Sequence, residues 1–204
     1  MLKKFLLPLA LCLTVTATAF AAVQEKVVTS RRYKLTYPVF TFENAKVAKK
    51  VNKEIKRMVK DTRGLLKDPV YQSVATDYKL IQETEQFVSL TFTSWNYTGG
   101  AHGMYYTKGL VYDKATGEAL PYTHFAKEVE AAQLKQGIAD GAFKVFCDDL
   151  QTTSEAPFLK YSEDFKVSDN YIVSEDGRVY LMYQPYELDS YAAGVTYVQL
   201  PLNK

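Results

Sequence analysis

The stretch Phe87–Tyr112, FVSLTFTSWNYTGGAHGMYYTKGLVY, decides the fold class of this chain. Apolar and hydroxylated side chains alternate through its beginning, and its end returns to the same extended pattern. A period of two is typical of a β-strand with one buried face. Between these strands lies Tyr97–Gly103, YTGGAHG, whose glycines permit the positive φ of a tight reversal. We therefore predict a hairpin in which Gly99, Gly100 and Gly103 form a structural turn.

Upstream of this hairpin, the period changes to that of a helix over Asn44–Arg63. Lysines and a glutamate occupy the opposite side of the helix, so the pattern predicts an amphipathic helix with one buried face. The apolar residues of that face recur at spacings of four, four and three: Val47, Val51, Ile55 and Met58.

The remaining periodic segments complete an α+β pattern. A second helix is predicted over Ala126–Leu150, although Gly137 and Gly141 weaken it. Strands and helices segregated in this way indicate an α+β fold with antiparallel sheets and two main helices. We expect two closely associated subdomains, residues 22–118 and 119–204. Further strands are predicted at Val27–Val39, Ala75–Gln82, Tyr171–Val173, Val179–Tyr183 and Val195–Pro201.

The first residues have the composition of a secretory signal peptide. Met1–Lys4 supplies two lysines, Phe5–Val15 is mostly apolar, and Ala19-Phe20-Ala21 fits the small-x-small pattern of a cleavage site. We predict a signal peptide over residues 1–21 and an exported protein that is periplasmic, associated with the cell envelope or secreted. The alternative is an uncleaved anchor, the one case in which a membrane would be a partner.

The charge balance argues against nucleic acid as a partner. The chain has 25 Lys and Arg residues against 23 Asp and Glu, so removal of Lys3 and Lys4 leaves 25 − 2 = 23 of each sign. A neutral chain lacks the positive surface that binds phosphate backbones. Cys147 would be the one cysteine left after cleavage. We expect it to be reduced and unreactive, packed in the core on the second helix.

The sequence carries no catalytic signature. Only two histidines are present, without the spacing of a metal site, and no nucleophile motif or nucleotide-binding loop occurs. We assign no catalytic residue, no metal ligand and no cofactor. Paired carboxylates could in principle hydrolyse a glycoside, but surface carboxylates are far commoner than catalytic ones. The pairs in question are Asp148 with Asp149 and Glu187 with Asp189.

Tyrosine is unusually abundant, with sixteen residues, all after the predicted signal peptide. Several lie in or beside two turns, Tyr97–Gly103 and Pro185–Gly194, in the second of which Gly194 is predicted to be structural. Aromatic rings can stack on sugars or anchor a protein interface at little entropic cost. The alternative is that tyrosines simply cover sheet faces. The candidate binding residues are Tyr97, His102, Tyr186 and Tyr191.

Three motifs carry a resemblance to a known family. They are YTGGAHG at Tyr97–Gly103, LVYDKATG at Leu110–Gly117 and YLMYQPYELDSYAAG at Tyr180–Gly194. Together they resemble the extracytoplasmic domain of RsiV-type anti-sigma factors, which also accompanies PdaC-type polysaccharide deacetylases. The upstream part, with Tyr37-Pro38 and the helix containing Asn52, resembles the smaller domain that precedes it. Both families are bacterial envelope proteins.

The resemblance implies a sensing or binding module of the cell envelope. We expect neither a sigma-binding segment, because only Met1–Lys4 precedes the apolar run, nor a deacetylase domain after Lys204. The family associations suggest peptidoglycan, or a protein such as lysozyme, as the partner. Two alternatives stay open: a cell-wall glycan hydrolase or deacetylase-like enzyme, and a structural or assembly protein of the envelope.

Overall fold

A computed structural model of the protein describes residues 22–201. Over this range the α+β class predicted from the sequence is confirmed, with two sheets and two α-helices in the described part of the chain. The predicted signal peptide, residues 1–21, lies outside the described residues. The elements are β1 (Ala22–Ser30), β2 (Tyr33–Thr41), α1 (Ala45–Gly64), β3 (Ser73–Glu83), β4 (Phe87–Tyr97), β5 (Met104–Asp113), α2 (Ala131–Ala139), β6 (Val145–Phe146), β7 (Tyr171–Val173), β8 (Val179–Tyr183) and β9 (Thr196–Gln199).

The first sheet has five strands in the order β1-β2-β3-β4-β5. The pairs β1–β2, β3–β4 and β4–β5 are antiparallel, but β2 and β3 are parallel, from Tyr33 opposite Val74 to Leu35 opposite Thr76. The first sheet is therefore mixed, and the prediction of antiparallel pairing is wrong for the β2–β3 pair. The reason is connectivity: α1 lies between β2 and β3 in the chain and returns it to the end from which β2 began.

Helix α1 covers one face of this sheet. Asn44 caps its first turn by accepting a hydrogen bond from the backbone N–H of Lys46, and the helix ends within one residue of the predicted bounds. Val51 and Ile55 are fully buried against β4 residues such as Leu90. Each such side chain contributes about 1.5–3 kcal/mol of transfer free energy, which holds the helix on the sheet.

The second sheet has four strands in the order β6-β9-β8-β7, all antiparallel. Its strand β7 approaches the other face of the first sheet, where the backbone N–H of Val173 donates to Ser89 Oγ at 3.0 Å. The short helix α2 packs on the core of this half through Leu134 and Ile138. The first sheet is thus covered by a helix on one face and by the second sheet on part of the other.

Two predicted elements differ from the structure. The predicted strand Val27–Val39 is a hairpin, because β1 and β2 reverse at Arg31-Arg32, which carries none of the usual turn residues. The predicted helix over Ala126–Leu150 is confined to α2. Gly141 takes a left-handed φ of 72°, and the chain folds back so that the N–H of Phe143 donates to the carbonyl of Gly137 at 2.9 Å.

The placement of Cys147 on a buried helix is wrong. Because the chain leaves α2 early, Val145 enters the second sheet opposite Val198, and Cys147 follows in a turn. Its thiol is half-buried rather than a core group. Desolvation raises the pKa of this thiol, and the carboxylates of Asp189, Asp149 and Asp148 raise it further. None of the helices described between residues 22 and 201 has the length and apolar character needed to cross a membrane.

Candidate functional site

The two turns selected from the sequence meet in space, and Tyr191 lies at their junction. Its ring stacks on His102 at a centroid distance of 4.1 Å and lies 5.6 Å from the ring of Tyr105 and 5.9 Å from that of Tyr186. Its hydroxyl donates to the carbonyl of Gly103 at 2.9 Å. His102 Nδ1 donates to the same carbonyl at 2.8 Å. We call the four rings of His102, Tyr105, Tyr186 and Tyr191 the aromatic shelf.

Tyr97 is the one candidate binding residue from the sequence that is not part of this shelf. It stacks on Trp95 at 6.2 Å, and its hydroxyl donates to the carbonyl of Gly100 at 2.8 Å. Gly103 lies directly against Trp95, since a Cβ at this glycine would come within 2.3 Å of the indole. Tyr97 therefore joins the shelf only through Trp95 and the turn.

Tyr186 is held in an uncommon conformation. Its φ is 75°, in the left-handed region that side chains other than glycine rarely adopt, and its backbone N–H donates to the carbonyl of Asp189 at 2.8 Å. The residue is nevertheless 50% exposed. Such strain costs on the order of 1–3 kcal/mol and tends to occur at functional sites.

The four glycines predicted to be structural fall into two groups. Gly99, Gly100 and Gly194 have φ values of 104°, 97° and 75°, so these three positions need left-handed backbone. Gly103 does not; it is a glycine because the indole of Trp95 leaves no room. At Gly194 space is short as well, since an added Cβ would come 2.6 Å from Cβ of Asp148.

The outer edge of β5 is occupied by groups from the second half of the chain. The side-chain amide of Gln184 pairs with Thr107, accepting from its N–H at 2.9 Å and donating to its carbonyl at 2.9 Å. Asn170 donates to the same carbonyl at 2.8 Å and accepts from the N–H of Gly109 at 2.7 Å. The contacts of Gln184 and Tyr191 fix the loop between β8 and β9 along this edge, and those of Asn170 fix the segment before β7.

A groove of about 450 Å³ lies beside the shelf, between the two sheets. We call it the inter-sheet groove. It combines aromatic rings and threonine hydroxyls with one carboxylate and one ammonium group on its walls. Its lining residues are Lys79, Ile81, Thr91, Thr93, Trp95, Tyr105, Thr107, Asp148, Leu150 and Tyr197.

Charges in the groove act on one another. Desolvation raises the pKa of Asp148, the ammonium group of Lys79 opposes this rise, and Asp149 adds to it. Desolvation, with smaller contributions from Asp148 and Tyr191, raises the pKa of Tyr105 to about 12. Desolvation and Asp148 likewise raise the pKa of Tyr197. Both phenols are therefore protonated hydrogen-bond donors at neutral pH.

The other carboxylates considered from the sequence hold turns together. Asp149 accepts from the N–H groups of Gln151 and Thr152 and from the Thr152 hydroxyl, and these hydrogen bonds lower its pKa. Glu187 accepts from the N–H of Gln184 at 2.6 Å, and Asp189 from the hydroxyl of Ser154 at 2.5 Å. Among residues 22–201, no three His, Cys, Asp or Glu side chains are grouped so as to hold a metal ion.

Sequence reasoning missed the groove. Alternation along β4 does place Thr91, Thr93 and Trp95 on one face, so these three residues of the groove had a signal in the sequence. Asp148 was considered only as one of a pair of carboxylates with Asp149, and Tyr197 had no signal. They reach the groove because β6 and β9 pair in the second sheet, and that contact lies outside any local pattern.

The fold and the site define a two-sheet α+β module with an aromatic surface built from two distant turns, and comparisons with known proteins match two successive segments of it to described families. Residues 23–105 match the family described as Deacetylase PdaC, and residues 121–203 match the Protein of unknown function DUF3298. The chain therefore carries a domain pair of the PdaC/DUF3298 type, which confirms the resemblance to the PdaC-type pair. These domains indicate a protein related to the cell envelope. The likeness to RsiV-type anti-sigma factors stays a prediction.

The chain is similar to a curated protein and to solved structures of the DUF3298 family. The peptidoglycan-N-acetylmuramic acid deacetylase PdaC of Bacillus subtilis (strain 168) is 32% identical over 85 residues, which are 40% of this chain and 18% of that protein. A DUF3298 family protein from Pseudomonas aeruginosa PAO1 superposes with a TM-score of 0.56 at 16% identity, over 89% of this chain and 88% of the other. One from Bacteroides fragilis NCTC 9343 gives 0.53 at 15% identity, over 90% of each. These structures support the fold alone.

Proposed function

We propose that this protein is an exported binding or sensing module of the cell envelope. It recognises peptidoglycan, or a protein such as lysozyme, through the aromatic shelf, and it performs no covalent chemistry on its partner. The aromatic residues at a binding surface supply contact area at little cost in conformational entropy. The function therefore consists of affinity rather than turnover.

The observation that carries this proposal is the exposed, strained Tyr186 beside Tyr191. Left-handed backbone at a residue other than glycine is strained and tends to occur at functional sites, so we infer that the exposed ring of Tyr186 is positioned for contact with another molecule. The ring of Tyr191 is fixed by its hydrogen bond to Gly103 and by the stacked His102. A rigid ring beside an exposed one suits recognition of a partner of fixed shape.

The domain pair supports the setting of this proposal. The curated relative is named for an enzyme that acts on peptidoglycan, and it shares the segment that matches about two fifths of this chain. The predicted signal peptide would deliver the protein out of the cytoplasm, to the side of the membrane on which peptidoglycan lies. Both considerations favour a ligand of the cell wall or a protein that meets it.

Titration of the mature protein with lysozyme and with soluble peptidoglycan fragments tests the proposal. We expect Tyr186→Ala and Tyr191→Ala each to weaken binding about tenfold, because each removes a ring at the centre of the contact. Tyr186→Phe retains the ring and is the matched control, and Val27→Ala removes an exposed apolar group on β1. Thermal unfolding of every variant verifies that the fold is intact.

Failure of both ligands to bind would contradict the proposed partners. Binding that survives both alanine variants would place the site elsewhere. The likeness to a named deacetylase favours one second candidate, an enzyme acting on cell-wall glycan. Release of acetate or of shortened glycans from the fragments by the purified protein would establish that candidate and overturn a purely binding role.

A further inference from the structure

The inter-sheet groove has a chemistry distinct from that of the exposed shelf. Its floor is the face of the first sheet opposite α1, where the hydroxyls of Thr93 and Thr107 share a hydrogen bond at 3.0 Å. Trp95 and Tyr105 form the wall towards the shelf, and Tyr197 lies on the wall formed by the second sheet. The groove therefore offers ring surface and hydroxyl groups side by side, within the size range of small-molecule sites.

The two charges of the groove restrict the ligand. Asp148 disfavours a phosphate or another anion, and Lys79 disfavours a cation. A purely apolar ligand would leave these two charged groups without partners as water is expelled. A neutral molecule with many hydroxyl groups and at least one apolar face meets both constraints. A sugar ring has both properties, since its C–H groups lie on one face and its hydroxyls at the rim.

We propose that the inter-sheet groove is a saccharide-binding site, in which Trp95 contacts a sugar ring while Asp148 and Lys79 hydrogen-bond its hydroxyls. Asp148 is the acceptor, and the phenols of Tyr105 and Tyr197 are available as donors. This assignment deepens the proposed function, from which it takes the setting of the cell envelope, and it names glycan as the ligand of a second contact surface.

The groove and the shelf are continuous. Tyr105 lines the groove and also contacts Tyr191, and Trp95 lies against Gly103, whose carbonyl accepts the hydrogen bond of Tyr191. A glycan strand seated in the groove would therefore extend towards the shelf. Sugars beyond those in the groove, or their substituents, would then contact the shelf.

Trp95 supplies a direct measurement because it is the one tryptophan of the chain. The full-length mature protein is titrated with a β-1,4-linked N-acetylglucosamine tetramer and with a β-1,4-linked glucose tetramer, up to about 10 mM, tenfold above a millimolar dissociation constant. We expect a saturable change in Trp95 emission with at least one tetramer. Asp148→Ala should weaken that binding about tenfold, because a charge-assisted hydrogen bond is lost.

Two controls separate the groove from the rest of the molecule. Asp61→Ala removes an exposed carboxylate on α1, on the opposite side of the sheet, and should leave tetramer binding unchanged. Asp148→Asn keeps the shape of the side chain, so it distinguishes loss of the charge from loss of the fold. Weakening in both Asp148 variants with an unchanged melting temperature supports the assignment.

The outcomes for the groove and for the shelf are distinguishable. No saturable change with either tetramer, while lysozyme or peptidoglycan fragments still bind in a manner sensitive to Tyr186→Ala, overturns the saccharide site and leaves the proposed function intact. Saturable binding of a tetramer with equal affinity in the Asp148 variants also overturns the assignment to this groove. Tetramer binding that depends on Asp148, with no binding of lysozyme or fragments, supports the groove and contradicts the proposed partners of the shelf.

Discussion

The two edges of the five-stranded sheet are finished in different ways. At the β5 edge, Thr107 and Gly109 are hydrogen-bonded by the side-chain amides of Asn170 and Gln184. At the opposite edge, β1 pairs with β2 alone among the described strands, and its residues are mostly exposed. An unpaired edge attracts other strands, and natural proteins cover or charge it. Here the covered edge is the one beside which the aromatic shelf and the groove are built.

The same device occurs once more inside the sheet. Asn52 of α1 accepts from the N–H of Phe40 and donates to its carbonyl, both at 2.8 Å, where β2 has run past its short parallel pairing with β3. An amide side chain thus replaces a missing strand at both places. The second half of the chain is therefore held to the first sheet partly by side-chain amides, which hydrogen-bond β5 where a further strand would pair. The β1 edge contributes little beyond its pairing with β2.

Gly109→Ala tests the closeness of the two sheets at the covered edge and should have the largest effect. An added Cβ would come 1.9 Å from the carbonyl oxygen of Tyr171, a backbone atom that cannot rotate away. We expect a loss of about 3 kcal/mol or more in the free energy of unfolding, or a fall of about 6–12 °C in melting temperature.

Gly64→Ala is the matched control for this substitution. Gly64 ends α1 with helical backbone and with no atom within 4 Å of an added Cβ. Alanine there should raise stability by up to about 1 kcal/mol. If the Gly109→Ala variant had the same melting temperature as the wild type, the two sheets could move apart here at no cost in free energy.

Asn170→Ala should have an intermediate effect. It leaves the carbonyl of Thr107 with Gln184 alone and the N–H of Gly109 without its acceptor, at a cost of about 1–3 kcal/mol. Asn170 and Gln184 share that carbonyl. The loss in free energy of unfolding in the double alanine variant should therefore differ from the sum of the two single losses. Denaturant unfolding of the four proteins measures the coupling, and strict additivity would mean that the two amides act as separate caps.

Val27→Lys on β1 should have the smallest effect. Val27 is 48% exposed, and the substitution adds a charge to an edge that already carries Glu25 and Lys26. We expect a change within about 0.5 kcal/mol and no loss of partner binding. A large fall in melting temperature, or altered binding of lysozyme or peptidoglycan fragments, would mean that the β1 edge has a role equal to that of β5.

The sequence predicted the elements whose pattern is local. The helix α1 and the hairpin of β4 and β5 have strong periods and recognisable caps or turns, and both occur within two residues of the predicted bounds. The β1–β2 reversal and the early end of α2 were missed, because Arg31-Arg32 carries no turn signal and Gly141 ends a helix whose apolar pattern continues to Phe146.

The candidate site was predictable only in part. Tyr186, Tyr191 and His102 stood out because they lie in turns that carry the family motifs, and the structure brings their rings together. Tyr97 is further away, behind Trp95. The sequence could not show that Asp148 rather than Asp149 lines the groove. The two residues are adjacent and have the same side chain, but Asp149 accepts hydrogen bonds within a turn. Only the pairing of β6 with β9 separates their environments.

The hydrogen bond between Tyr191 and Gly103 spans 88 residues of sequence, which determines when the shelf can form during folding. Closing so long a loop costs chain entropy that local contacts do not repay, so the contact depends on both halves having already acquired their strands. The hairpin of β4 and β5 can form from neighbouring residues, but it carries only one side of the shelf. A chain arrested after its first half would therefore expose Trp95 and Tyr105 without a complete binding surface. The complete aromatic surface is therefore present only in the finished molecule.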